Sequence, residues 1–268
     1  MLIKKSKVAD YANLLGAFLL ATSVPNLAHG QEISGSLAPS YADLVDLSDP
    51  SEIVLKAQIR KQATVELERS PGLAAGFVRL YIEARTEALI SGNVPVGETL
   101  RYLVDVPVDE KGRAPKIRKR DVLIFGRTIP GRAGDIQLVG PSSQLFWTPE
   151  LEGRLRPILS DLVANGSPPV VDGIRDALSI DGNLVGESET QIFLSTNDGA
   201  PVSISVIRRP GQDPVWGVSW SEIVDQAAKP PVTNTLEWYR LACFLPRSIQ
   251  DNAIIAGGDE SRRRTQED

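Results

Sequence analysis

The chain has 268 residues, 42% apolar and 24% charged, the proportions of an ordinary globular protein and neither of a disordered polymer nor of a membrane-embedded one. Its 29 basic against 34 acidic residues give a net charge of −5, which argues against a general binder of polyanions. A single cysteine, Cys243, excludes an intramolecular disulfide.

The amino terminus predicts export. Lys4, Lys5 and Lys7 precede the apolar run 14–21, and Ala28-His29-Gly30 places small residues at −3 and −1 of a cleavage site before Gln31. This is the arrangement of a secretory signal peptide over residues 1–30, with an uncleaved anchor as the competing reading. The run is too short for a bilayer span of roughly 20 residues, and no later segment approaches that length, so a periplasmic or secreted protein without a transmembrane segment is expected. Removing Lys4, Lys5, Lys7 and Asp10 from the 29 basic and 34 acidic residues leaves 26 against 33, a net charge of −7. The only histidine, His29, goes with them.

Residues 31–48 mix Ser, Gly, Ala and Pro with acids and show no period, which predicts a linker. After the turn Asp49-Pro50-Ser51, Ile53, Leu55, Ala57 and Ile59 alternate with Val54, Lys56, Gln58 and Arg60, the pattern of a half-buried strand. Pro71-Gly72 and Gly76 mark a loop over 68–76. A strand over 77–84 sets Val78, Leu80, Ile82 and Ala84 against Phe77, Arg79, Tyr81 and Glu83; another over 100–106 puts Leu100, Tyr102, Val104 and Val106 on one side. Asp109-Glu110-Lys111-Gly112 turns the chain through a basic arm into Val122-Leu123-Ile124-Phe125. An apolar run without alternation reads as a strand covered on both faces, hence central in its layer. Residues 136–139 complete five strands with no long helix, which predicts a small, strongly curved sheet or a barrel.

Residues 51–57, the long strand at 77–90, the Gly97-Glu98-Thr99-Leu100 turn and the Val122-Leu123-Ile124-Phe125 strand together resemble the OB-type barrel of netrin-like and metalloproteinase-inhibitor-like domains, over residues 49–140. The resemblance implies the barrel alone. The amino-terminal Cys wedge and the disulfides of that family are absent, so inhibitory function does not carry over. The whole chain also resembles exported proteins of α-proteobacterial type, which implies a periplasmic address and no chemistry.

A boundary at Pro141-Ser142-Ser143 divides an OB-like β-barrel domain, 49–145, from an α+β domain, 146–250. Thr148-Pro149-Glu150 starts a helix with a capping hydroxyl, a proline in the first turn and an acid at the positive end of the dipole. Leu151, Leu155, Ile158, Leu159 and Leu162 keep helical spacing, and Pro157 is expected to kink or split the helix. Strands at 190–194 and 201–207, joined by the hairpin signal Asn197-Asp198-Gly199, and at 215–220 predict a three-stranded meander behind a weakly patterned 170–180. A last helix is expected from Asn234, which forms a capping box with Glu237, to Pro246. Residues 251–268 have the composition of a disordered tail. The predicted class is β-rich α+β, an N-terminal five-stranded OB-like barrel plus a C-terminal antiparallel meander with flanking helices.

Absences restrict the chemistry. Beyond residue 30 there is no histidine, which closes off Ser-His-Asp and Cys-His catalysis and His-based zinc sites. G-x-G-x-x-G, G-x-x-x-x-G-K-[ST] and G-x-S-x-G are missing; Gly186-Glu187-Ser188-Glu189-Thr190 fails the last at its final position. No cofactor and no metal are expected. Arg113, Lys116, Arg118, Lys119 and Arg120 put five basic residues in eight before the central strand. They are the candidate contact for an anionic ligand or an envelope protein, with a solvated turn as the plainer account and nucleic acid disfavoured by the net charge. Trp216, Trp220 and Trp238 offer an aromatic platform or, as the better account, the packing of the last helix onto the meander. Cys243 is expected as an inert core thiol on the inner face of that helix. Asp172, Asp176, Asp181, Glu187 and Glu189 supply either turn and surface roles or a carboxylate pair for hydrolysis of an envelope polymer. Non-catalytic binding or scaffolding in the periplasm is the expected function. That hydrolase is one alternative; the other, an envelope-lipid binder, needs an apolar cavity inside the barrel.

Overall fold

The computed structural model describes residues 38–132, 134–221 and 228–255, together with Arg263 and Thr265. The expected signal peptide and most of the expected tail lie outside the described residues. From Pro39 onward the chain falls in one compact unit built on two antiparallel sheets.

The expected linker contains a helix, α1 (Tyr41–Ser48). Its start is a capping box: the Asp43 N–H donates to Ser40 Oγ at 3.2 Å, and the Ser40 N–H donates to Asp43 Oδ2 at 2.7 Å. That second bond, from the Ser40 backbone, is the largest cause holding the Asp43 carboxyl below its ordinary pKa. Leu44 and Val45 are buried, so tertiary packing stabilises a helix too short to persist alone.

The first sheet contains β1 (Ile53–Thr64), β2 (Phe77–Ser91), β3 (Thr99–Pro107), β4 (Asp121–Thr128), β5 (Ile136–Leu138) and β6 (Gln144–Phe146). Its order is β3-β2-β1-β4-β5, with β6 also pairing β4. Three register shifts along β1 curve the sheet, and the last leaves Arg60 as an extra residue between Ile59 and Lys61. The sheet remains open: between the β3 and β5 edges there is only an isolated parallel bridge from Arg101 of β3 to Asp135, the residue before β5.

The apolar run in β4 is covered on both faces, as its lack of alternation predicts. Val122 and Ile124 face an inner cluster with Ile59, Leu80, Ile82 and Tyr102. Leu123 and Phe125 face an outer cluster completed by α1, by α2 (Pro149–Val163) and by α3 (Leu236–Phe244). The outer face of β1 and β4 is therefore roofed by helices from both ends of the described chain.

The N-cap of α2 is Thr148, whose hydroxyl accepts the Leu151 N–H at 3.1 Å, and the helix runs unbroken through Pro157 rather than splitting there. Pro157 and Gly153, whose carbonyl loses its partner, are both exposed, so water can meet the orphaned group. In α3 the cap is Thr235, not Asn234; Asn234 takes a positive φ of 61° and turns the chain into the helix.

The second sheet, β10-β9-β8-β7, has one strand more than the expected meander: β7 (Val171–Asp181), β8 (Ser188–Thr196), β9 (Val202–Arg208) and β10 (Val215–Ser219). One face packs against Leu241 of α3 and the following Leu245 and Ile249. Residues 251–255 of the expected tail pack against the second sheet. Ala253 and Ile254 are buried, and the Ile255 N–H donates to the Ala177 carbonyl at 3.1 Å. Arg240, only 4% exposed, clasps α3 to the end of α1: Nη1 and Nη2 donate to the Asp49 carboxylate at 2.7 and 3.2 Å. No described helix is long and apolar enough to cross a membrane.

Candidate functional site

All five basic candidates are exposed and lie on one loop between β3 and β4. The loop is fastened to β1 at the backbone. Gln62 Nε2 donates to the Pro115 carbonyl at 2.9 Å, and Gln62 Oε1 accepts the N–H groups of Ile117 at 2.8 Å and Arg118 at 3.1 Å. The Lys119 N–H donates to the Ile59 carbonyl at 2.8 Å, and Ile117 is buried in the inner cluster. Lys119 takes φ 65°, a strained turn position for a residue with a Cβ.

The five side chains differ in their partners. Arg113 is neutralised by Asp109 at 3.0 Å, and the Asp109 carboxyl is held below its ordinary pKa by the Arg113 backbone N–H first and its guanidinium second. Arg118 Nε donates to the Arg60 carbonyl at 3.3 Å, and the Arg120 guanidinium lies 4.3 Å from the ring centre of Phe146. Among the described residues, Arg60, Lys116, Arg118, Lys119 and Arg120 form no ion pair with a carboxylate. Arg60, the bulged residue of β1, joins the patch and was not among the sequence candidates.

A second feature escaped the sequence. Where β3 and β5 part, a groove of about 680 Å³ opens on the outer face of the first sheet. Tyr81 and Leu103, a cross-strand pair, form its apolar wall, with Arg79, Arg101 and Arg132 beside them. Arg79 grips Asp105 through Nε at 2.7 Å and Nη2 at 2.8 Å, and Arg101 pairs with Asp135 at 2.7 Å. The visible signal was the alternate set on β2, Arg79 and Tyr81, opposite its core face. A smaller groove, about 490 Å³, adjoins it between Val96, Ile129 and Arg132 at the opposite end of the sheet from the basic loop.

The remaining candidates disperse. Trp216 is 40% exposed on β10, Trp220 packs on the second sheet's cluster, and Trp238 packs on the helix-roofed one, so the three make no common platform. Asp176 pairs with its neighbour Arg175 at 2.9 Å, Glu187 accepts the N–H groups of Asn183 and Leu184, and Glu189 accepts from Gln191. Asp172 and Asp181 are exposed, and none of the five carboxylates lines either groove. Among the described residues no group of three His, Cys, Asp or Glu is placed to hold a metal ion. Cys243 is exposed rather than in the core, because α3 turns Leu236, Tyr239 and Leu241 inward instead; desolvation first and Asp46 second raise its thiol pKa.

No protein-family model matches the chain, and no curated protein matches it.

Proposed function

We propose that the chain is an exported, non-catalytic binding protein whose first sheet is an OB-like barrel and whose 109–120 loop takes an anionic ligand. Export rests on the lysine-led apolar run and the Ala28-His29-Gly30 site. The barrel reading is supported by the order β3-β2-β1-β4-β5, by the bulged, curved β1, and by the parallel bridge that draws β5 toward β3. The outer face of β2 and β3, which carries the larger groove, is the face from which such barrels bind ligands.

One observation carries the anion reading. In a chain of net charge −5, Arg60, Lys116, Arg118, Lys119 and Arg120 stand together with no ion pair to a carboxylate among the described residues, on a backbone that Gln62 holds in place. A loop that served only solubility would not need its turn pinned by three hydrogen bonds from one side chain. The alternatives find less support: the carboxylates are exposed or bonded to near neighbours in sequence, and the inner cluster fills the sheet's inner side with packed side chains where a lipid cavity would lie.

The test is charge reversal of Arg118, Lys119 and Arg120 to Glu, with retention on immobilised heparin as the readout. The parent should elute at clearly higher salt than the variant. Identical elution, with the variant still folded by circular dichroism, removes the reading.

A further inference from the structure

The strand directions gather more than charge at the end of the first sheet that bears the basic loop. Antiparallel pairing brings together the end of β1, the start of β2, the end of β3 and the start of β4, as the pairs Thr64–Leu80, Phe77–Pro107 and Gln58–Asp121 show. The Val108 N–H donates to the Gly76 carbonyl at 2.9 Å and ties the basic loop to the β1–β2 loop, and Phe146 of β6 pairs Val122 at the same end. Three large apolar side chains are exposed here: Leu67 at 72%, Phe77 at 37% and Phe146 at 44%. Leu67 projects from the short 3-10 turn Leu67–Arg69, and Phe146 stacks against Arg120. Glu66, Glu68 and Glu110 share this end, with Arg69 and Lys111 beside them, so the five unneutralised cations of the patch set its sign.

A soluble polyanion would meet the cations and leave the three apolar side chains in water. A bilayer interface takes both at once, apolar side chains below the headgroups and cations among the phosphates. We propose that this end of the first sheet docks on an anionic phospholipid surface, with Leu67, Phe77 and Phe146 entering the interface and Arg60, Lys116, Arg118, Lys119 and Arg120 meeting lipid phosphates. The proposal rests on the anion reading of the loop and adds the source of the anion. The protein's overall negative charge does not oppose it at close range, because exposed charges more than about 10 Å from the surface are largely screened at ordinary salt.

The experiment is flotation of the full chain with vesicles of phosphatidylethanolamine and phosphatidylglycerol, against phosphatidylcholine alone. Residues 1–30 carry three lysines and an apolar run of their own, so every readout is a difference between variants that share them. Reversal of Arg118, Lys119 and Arg120 to Glu should weaken partition to the anionic vesicles by at least about a hundredfold, since each cation near such a surface contributes roughly fivefold. Leu67→Trp, an exposed position where the fold tolerates change, should show blue-shifted emission on anionic vesicles and quenching by brominated lipid. Equal partition of parent and reversal variant, or a Leu67→Trp emission that vesicles leave unchanged, overturns the proposal. If the reversal abolishes heparin retention while vesicles show no variant-dependent binding, the loop contacts a soluble polyanion and only the bilayer inference fails. If neither heparin nor vesicles distinguish the variant, both readings fall.

Discussion

β4 and β9 each bury five consecutive residues, and they do so with different chemistry. In β4 the run is Val122, Leu123, Ile124, Phe125 and Gly126, so apolar side chains leave both faces and meet two separate clusters. In β9 it is Val202, Ser203, Ile204, Ser205 and Val206; only the Val and Ile face enters an apolar cluster. Ser203 and Ser205 share the other face with Gly217 of β10, where an added Cβ would lie 2.1 Å from the Ala228 carbonyl oxygen. The Ala228–Lys229 backbone passes against Gly217 there, and glycine is what that close approach allows. An unbroken buried run thus has two meanings. Bulk on both faces announces two apolar side-chain layers, whereas alternation of bulk with serine announces one.

The largest break in that contrast should come from Phe125→Ala. The ring is fully buried under α1, α2 and α3, and truncating a buried phenylalanine costs about 3–5 kcal/mol. Urea unfolding should show that loss. A loss below about 1 kcal/mol would mean that the helices do not pack on β4 in solution.

How much of this could be read beforehand differs between the two regions for the same reason. The β4 run, the Thr148 cap of α2 and the Asn197-Asp198-Gly199 turn are local signals, and each marks a real element. α1 was hidden because its capping partner is Asp43 where Glu or Gln is the usual mark, and because its apolar residues follow a stretch of Ser, Gly and Pro. β7 was hidden by two register shifts, at Val171/Gly173 and Ile174/Asp176, which break the period of two that identifies a strand. Pro157 does not split α2, and the exposure of the hydrogen bond it breaks lets water meet the freed carbonyl. Within the candidate site, the basic loop was legible as composition, but its fastening by Gln62 spans more than 50 residues of chain. The groove depends on where β3 and β5 separate, a long-range outcome that no local spacing encodes.

Alkaline pH should act on the first region selectively. Tyr102, Tyr239 and Tyr41 all lie in the first sheet or its helix layer, all have pKa values raised chiefly by desolvation, and the second sheet contains no tyrosine. A raised phenol pKa means that the folded state keeps a proton that the unfolded state releases. Stability from these groups is therefore complete below the unfolded value of 10.0 and falls as pH rises above it. Tyr102 also donates to Gln144 Oε1 at 2.7 Å, so Tyr102→Phe should cost about 0.5–1.5 kcal/mol at neutral pH. The same substitution should flatten the alkaline decline in the urea midpoint. An unchanged slope above pH 10 would place the Tyr102 hydroxyl in contact with water.

The smallest expected effect is the most diagnostic of how β9 is covered. The Ser203 hydroxyl is buried and has no hydrogen-bond partner among the described residues. An unpaired buried hydroxyl has lost water without gaining a partner, so its removal should be neutral or stabilising by up to about 1 kcal/mol. Ser203→Ala should then leave the midpoint of thermal unfolding unchanged or raise it by about 0–4 °C for a chain of this size. Thr190→Val on β8 is the matched control. Thr190 Oγ1 donates to Ser179 Oγ at 3.1 Å, so its loss should lower the midpoint by a similar amount. Opposite signs for two hydroxyls on neighbouring strands would show that burial alone does not set the contribution of a polar group to this sheet. A fall for Ser203→Ala as large as that of the control would mean that a partner for Ser203 lies in the chain outside the described residues, and that the serine face of β9 is a hydrogen-bonded layer rather than a close-packed one.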